Sequence, residues 1–183
     1  MSGVSAEGNG WLLLVYRVPS EPTRLRAAVW RRLKRLGAIY LQNSAAALPA
    51  SAAAEREMRK LRREILDMSG TAVLLSCSVL AGEPDILAAF QAARDDEYAE
   101  IVDKCADFLG QVRKEYLAGH FTYAELEENE VDMVKLRTWF GRVAERDVFG
   151  ASGRAEAEQG LVACEQSLED YAARVYAEEA ESR

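Results

Sequence analysis

Two uninterrupted apolar runs, WLLLVYRV at residues 11–18 and TAVLLSCSVL at 71–80, bracket two amphipathic segments and limit what the first eighty residues can become. Each run is far shorter than the roughly 18 residues a membrane span requires. The first ends at Pro19, the second at Gly82 and Pro84, and both are rich in branched and aromatic residues. Length, boundaries and composition therefore predict strands buried on both faces rather than helices.

Between these runs the period changes to that of a helix. Leu25, Val29, Leu33 and Leu36 form one stripe and Arg24, Arg31 and Arg35 another, with Ser20 as the expected N-cap, Pro22 in the first turn and Gly37 as the stop. Residues 38–42 and 45–48 are β-compatible and are joined by Asn43-Ser44, which predicts a hairpin. Ser51 caps a second helix reaching about residue 68, with Met58, Leu61 and Ile65 inward and Arg56, Arg59, Lys60 and Arg63 on the opposite edge. The order β-α-β-β-α-β is that of a ferredoxin-like module, whose two helices cover one face of a four-stranded antiparallel sheet. Their cationic stripes would then point to solvent side by side.

Everything after Pro84 has a helical pattern. Residues 85–117 place Ile86, Phe90, Ile101, Cys105, Phe108 and Val112 at helical spacing before Gly119. Thr122-Tyr-Ala-Glu125 is a capping box for a second helix packing through Leu126, Val134, Leu136, Phe140 and Val143. After the break at Gly150-Ala-Ser-Gly153, a third helix over 154–180 turns Leu161, Cys164, Leu168, Tyr171 and Val175 inward. Three antiparallel helices form a bundle or wrap the open face of the sheet, and the pattern fits both. The expected class is α+β: a mobile leader at 1–10, a ferredoxin-like module at 11–82 and an acidic helical region at 83–183.

Charge is divided unevenly along this frame. Residues 1–80 carry 12 Lys and Arg against 6 Asp and Glu, whereas residues 81–183 carry 11 against 24, so a chain of net charge −7 has a basic first half. The cations Arg17, Arg24, Arg31, Arg32, Lys34, Arg35, Arg56, Arg59, Lys60, Arg62 and Arg63 collect on the two early helices and their approaches, with Trp30 beside them. An arginine-heavy surface of this kind suits phosphate or another tetrahedral oxyanion, because the guanidinium fork offers two parallel donors. Pairing of the same cations with the acidic helices is the competing use.

Conventional catalysis finds little support. P-loop, GxSxG and GxGxxG motifs are missing, and His120 is the one histidine, so neither a zinc cage nor a histidine-activated nucleophile is expected. The acidic residues Glu127, Glu128, Glu130 and Asp132 lie around a helix rather than converging, which predicts a solvated face and no metal. Cys77, Cys105 and Cys164 are odd in number and widely spaced, so reduced, mostly buried thiols are expected, with Cys164 the candidate if redox chemistry occurs. No cofactor, no membrane span and a cytoplasmic location complete the expectation.

Several stretches resemble the N-terminal domain of ChrB-type chromate resistance proteins. They are Trp11-Leu-Leu-Leu, Pro19, Arg24-Leu-Arg-Ala-Ala-Val-Trp-Arg-Arg-Leu-Lys-Arg-Leu-Gly-Ala38, Leu48-Pro49, Phe121-Thr-Tyr-Ala-Glu-Leu-Glu-Glu-Asn-Glu130, Arg146-Asp-Val-Phe-Gly-Ala151, and Cys164 ahead of Arg174-Val-Tyr176. The first 80 residues are also similar in layout to the Cas2-like ferredoxin module of PaaX-type repressors. The resemblance implies a role in chromate resistance as a chromate-responsive transcriptional regulator; together with the basic helices it leads to the expectation of a non-enzymatic, homodimeric DNA-binding protein. The cationic stripes are the expected DNA or oxyanion contacts: Arg24, Arg31, Arg32, Lys34, Arg35, Arg56, Arg59, Lys60 and Arg63. Longer family members carry a further C-terminal domain, so a separate ChrB-like C-terminal partner is expected. The alternative is a non-catalytic accessory that binds chromate, another oxyanion or a partner protein. A chromate reductase or a nuclease has the least support.

Overall fold

β1 (Trp11–Arg17) is the strand around which the first part of the chain is organised, because it is hydrogen-bonded on both edges. In the computed structural model, which describes residues 10–181, the expected leader at 1–10 lies outside the described residues except for Gly10, whose carbonyl accepts from Ala50 N at 2.7 Å. The remaining elements are α1 (Thr23–Leu36), β2 (Ile39–Gln42), β3 (Ala45–Pro49), α2 (Ala52–Asp67), β4 (Thr71–Cys77), α3 (Glu83–Ala118), α4 (Tyr123–Arg146) and α5 (Arg154–Glu181). The fold is α+β and mostly helical, with one four-stranded antiparallel sheet in the order β2-β3-β1-β4. It falls into two compact units, Met1–Phe90 and Gln91–Arg183.

Register decides which side chains share a sheet face. Leu12 pairs with Leu48 and Ser76, Leu14 with Ala46 and Leu74, and Tyr16 with Ala72. Leu12, Leu14, Ala46, Leu48 and Ala72 are buried, as are Met58, Leu61 and Ile65 of α2 and Val29 and Leu33 of α1. α2 packs on β1 and β4, with α1 beside α2. Each fully buried Leu, Ile, Val or Met side chain here contributes about 1.5–3 kcal/mol. On the other face Trp11 is buried with its ring edge-on to Phe90 at 6.3 Å, whereas Val15, Val73 and Leu75 are exposed.

Three details differ from the sequence expectation. The last strand stops at Cys77, and Cys77 is exposed rather than buried, since it lies on the sheet face away from α1 and α2, where Val15, Val73 and Leu75 are exposed too. α1 begins from the Pro22 carbonyl, which accepts from Leu25 N at 3.0 Å; Ser20 is two residues too early to cap it. Val134 is 61 % exposed and Met133 is buried instead, since the inward row runs 126, 129, 133, 136, 143 and Val134 lies about 100° around the helix from Met133.

Other local signals act as the residues dictate. Ser51 Oγ accepts from Ala54 N at 3.1 Å, and Thr122 Oγ1 from Glu125 N at 3.3 Å. Gly37 and Gly119, both at positive φ, end α1 and α3 with the paired carbonyl bonds of a Schellman turn. His120 serves there through its backbone: its N–H donates to the Glu115 carbonyl at 3.0 Å, and its own carbonyl accepts from Tyr171 Oη at 2.6 Å.

In the second unit α3, α4 and α5 share one core, with Tyr98, Ile101, Cys105, Phe108 and Val112 meeting Leu126, Met133, Leu136 and Val143, and Ala157, Leu161, Cys164, Tyr171 and Val175. The stretch Arg146-Asp-Val-Phe-Gly-Ala151 fastens the α4–α5 connection. Asp147 accepts from Ala151 N at 2.9 Å and Tyr98 Oη at 3.1 Å, while Gln91 Nε2 donates to the Phe149 carbonyl at 3.2 Å. Glu97 pairs with both Arg94 and Arg146, and Asp95 accepts from Gly153 N at 2.7 Å. Asp95 and Glu97 are thus structural fasteners. No described helix is long and apolar enough to cross a membrane.

Candidate polyanion-binding face

α1 and α2 are held together by a charge strap before they offer anything to a ligand. Arg32 Nη2 donates to Glu57 Oε2 at 2.7 Å, and Glu57 Oε1 accepts from Lys60 Nζ at 2.7 Å. The Lys60 hydrogen bond, with the charges of Lys60, Arg32 and Arg56, holds the Glu57 carboxyl below its ordinary value. Two residues before Glu57, Glu55 Oε1 accepts from Arg59 Nε at 2.7 Å. Arg32 is half-buried in this strap, which separates it from the other cations expected at the site.

Arg24, Arg31, Lys34, Arg35, Arg56, Arg59, Lys60 and Arg63 are all exposed. Lys34 Nζ lies 6.0 Å from the centre of the exposed Trp30 ring. Arg24, Arg31 and Arg63 have no acidic partner among the described residues. A guanidinium with solvated donors and no carboxylate nearby can take a phosphate or chromate oxygen without first breaking a salt bridge. Glu55 and Glu57 are the internal competitors of Arg59, Lys60 and Arg32, and two carboxylates do not neutralise the stripe.

One feature of this unit brings together residues from β1, α1 and β2. Tyr16, Arg17, Arg26, Trp30, Tyr40, Asn43 and Ser44 line an open hollow of about 520 Å³. Tyr16 and Tyr40 share a hydroxyl hydrogen bond at 2.9 Å, and burial, followed by that bond, raises the Tyr40 phenol above its ordinary value, so it stays neutral. The available signal was the i,i+4 placement of Arg26 and Trp30, which sets a cation and an indole on one helical edge.

Among the described residues no group of three or more His, Cys, Asp or Glu could hold a metal ion. Cys105 and Cys164 are buried neighbours, with Cys164 Sγ donating to the Cys105 carbonyl at 3.5 Å. Burial first, then the adjacent Cys105 thiol, pushes the Cys164 thiol up to about 12; burial also raises Cys105. Such thiols hold little thiolate at neutral pH.

A four-stranded antiparallel sheet carrying adjacent arginine-faced helices, followed by a three-helix unit, places the chain among small α+β proteins with a cationic helical face. The family model described as Protein ChrB, N-terminal, matches residues 26–182, and the chain belongs to that family. Membership links it to chromate resistance. No curated protein sequence matches the chain significantly.

Proposed function

We propose that this chain is a non-enzymatic regulator in chromate resistance whose α1 and α2 dock on DNA phosphates. On this reading the first unit is a ferredoxin-like module, in keeping with its β-α-β-β-α-β order and its β2-β3-β1-β4 sheet. The protein acts in the cytoplasm as a homodimer, and chromate weakens the DNA contact. The observation that carries the reading is the pair of adjacent helices with exposed arginines, of which Arg24, Arg31 and Arg63 are unmatched by acid among the described residues. Arg31, Arg35, Arg59 and Arg63 are the proposed principal contacts. Gel-shift titration of the chain's own upstream DNA tests this: Arg31→Ala/Arg35→Ala/Arg59→Ala/Arg63→Ala should lose the shifted band while keeping its circular dichroism spectrum. Undiminished binding by that folded variant contradicts the proposal.

A second reading is favoured by the hollow between Arg17 and Arg26. Its two cations, phenol hydroxyls and exposed indole suit a small oxyanion, which would make the chain a non-catalytic accessory binding chromate or a related dianion. Calorimetric titration with chromate and sulfate separates the readings, since heat from an oxyanion in a protein that binds no DNA supports the accessory.

A further inference from the structure

The outer edge of β4 is an unusually open strand edge. It closes one side of the sheet, runs seven residues in register with β1 and has the sequence TAVLLSC, without a charge, a proline or a bulge. Exposed edges are ordinarily blunted by such devices. Two observations fix which groups face outward. Tyr16 N donates to the Ser44 carbonyl at 2.9 Å, turning Tyr16 away from β4, and Arg62 Nε donates at 3.1 Å to the carbonyl of Ala72, the partner of Tyr16. By alternation the N–H and C=O groups of Leu74 and Ser76 also point outward, and no partner meets them among the described residues.

Beside this edge is a groove of about 430 Å³, lined on the helical side by Arg59, Arg62, Arg63 and Glu55 and on the strand side by Val73, Leu74, Leu75 and Ser76. Three guanidinium groups face one carboxylate, so the groove is cationic. On the opposite sheet face Val73 is 56 % and Leu75 44 % exposed.

We propose that β4 and the α2 arginines form an acceptor for an extended acidic segment of a partner protein, added as a fifth strand. Side chains opposite Leu74 and Ser76 would point beneath α2, where carboxylates meet Arg59, Arg62 and Arg63. Those between them would lie beside Val73 and Leu75, where apolar side chains are favoured. The chemistry recognised is therefore alternation of acidic and apolar residues in a strand with free backbone amides. A second copy of β4 fits poorly, because it contains no acid and two-fold pairing would bring two sets of the three arginines together. Duplex DNA does not satisfy a row of strand amides. The inference stands apart from DNA docking, although an occupant would compete for Arg59 and Arg63.

A fluorescein-labelled peptide of alternating Glu and Val tests this in the full chain, beside a version N-methylated at every Glu amide, which keeps the charge but removes the donors facing β4. The unmodified peptide should raise anisotropy and slow hydrogen exchange at the Leu74 and Ser76 amides. N-methylation, and Arg59→Ala/Arg63→Ala, should each weaken binding by about tenfold or more. Equal binding of the N-methylated peptide, unchanged exchange at Leu74 and Ser76, or no binding overturns the inference. A duplex that slows those two amides when the peptide does not would overturn it too, assigning the edge to DNA. Peptide binding in a protein that ignores DNA upholds it and defeats the DNA reading instead.

Discussion

Gly70 and Cys164 are positions where the surroundings leave one outcome. A Cβ on Gly70 would lie 2.5 Å from the Arg17 carbonyl and 2.9 Å from that of Ile65, closer than real Cβ atoms come to backbone. Gly70→Ala must therefore open the α2–β4 turn, with an expected loss of about 1–3 kcal/mol in urea unfolding; wild-type stability would contradict the packing described. The thiols give a second prediction. Cys77 is exposed while Cys105 and Cys164 are buried with raised pKa values, so a chromogenic disulfide reagent at pH 8 should modify one thiol quickly in the native protein and three after denaturation. Native Cys77→Ser should be silent, and rapid modification of that variant would show the core thiols to be accessible.

At the scale of elements, the α1–α2 strap ties stability to pH. The folded Glu57 carboxyl lies below its ordinary 4.5, so its ionised form is the one the fold favours. That contribution is present above 4.5 and is lost as pH falls through the lowered value. Carbon-detected NMR should place the Glu57 midpoint below 4.5, and Lys60→Met, which removes the largest cause, should move it upward. An unmoved midpoint would mean that Lys60 does not hold this carboxylate. The elements themselves were legible where one local signal sufficed: Ser51 and Thr122 as caps, Gly37 and Gly119 as stops, and the helical periods of α1, α2 and α5. The exposure of Cys77 and Val73 is not legible, because a continuous apolar run looks the same whether one face of a strand is covered or both, and Val15 of the central strand is exposed on that same face. The cationic stripes could be read from spacing alone. The withdrawal of Arg32 into a strap could not, since it depends on a partner 25 residues away, nor could the gathering of Arg17, Arg26 and Tyr40 from three elements.

For the whole molecule, the net charge of −7 and pI near 4.9 suggest repulsion from DNA. The distribution says otherwise, because charges separated by more than a Debye length, about 10 Å at 0.1 M salt, are largely screened and a phosphate responds to the local surface. That surface belongs to residues 1–80, with 12 Lys and Arg against 6 Asp and Glu. Membership of the ChrB N-terminal family supplies the chromate context, and on the proposed reading the adjacent basic helices are the means of contact with DNA. The most direct test is fluorescence anisotropy of the chain's own upstream duplex across a salt series, with wild type and the quadruple variant of Arg31, Arg35, Arg59 and Arg63, repeated in chromate. Log affinity should fall linearly with log salt, with a slope smaller by about one for each arginine removed, and wild-type binding should be weaker in chromate. An identical slope and affinity for wild type and the folded quadruple variant would contradict DNA docking through these arginines.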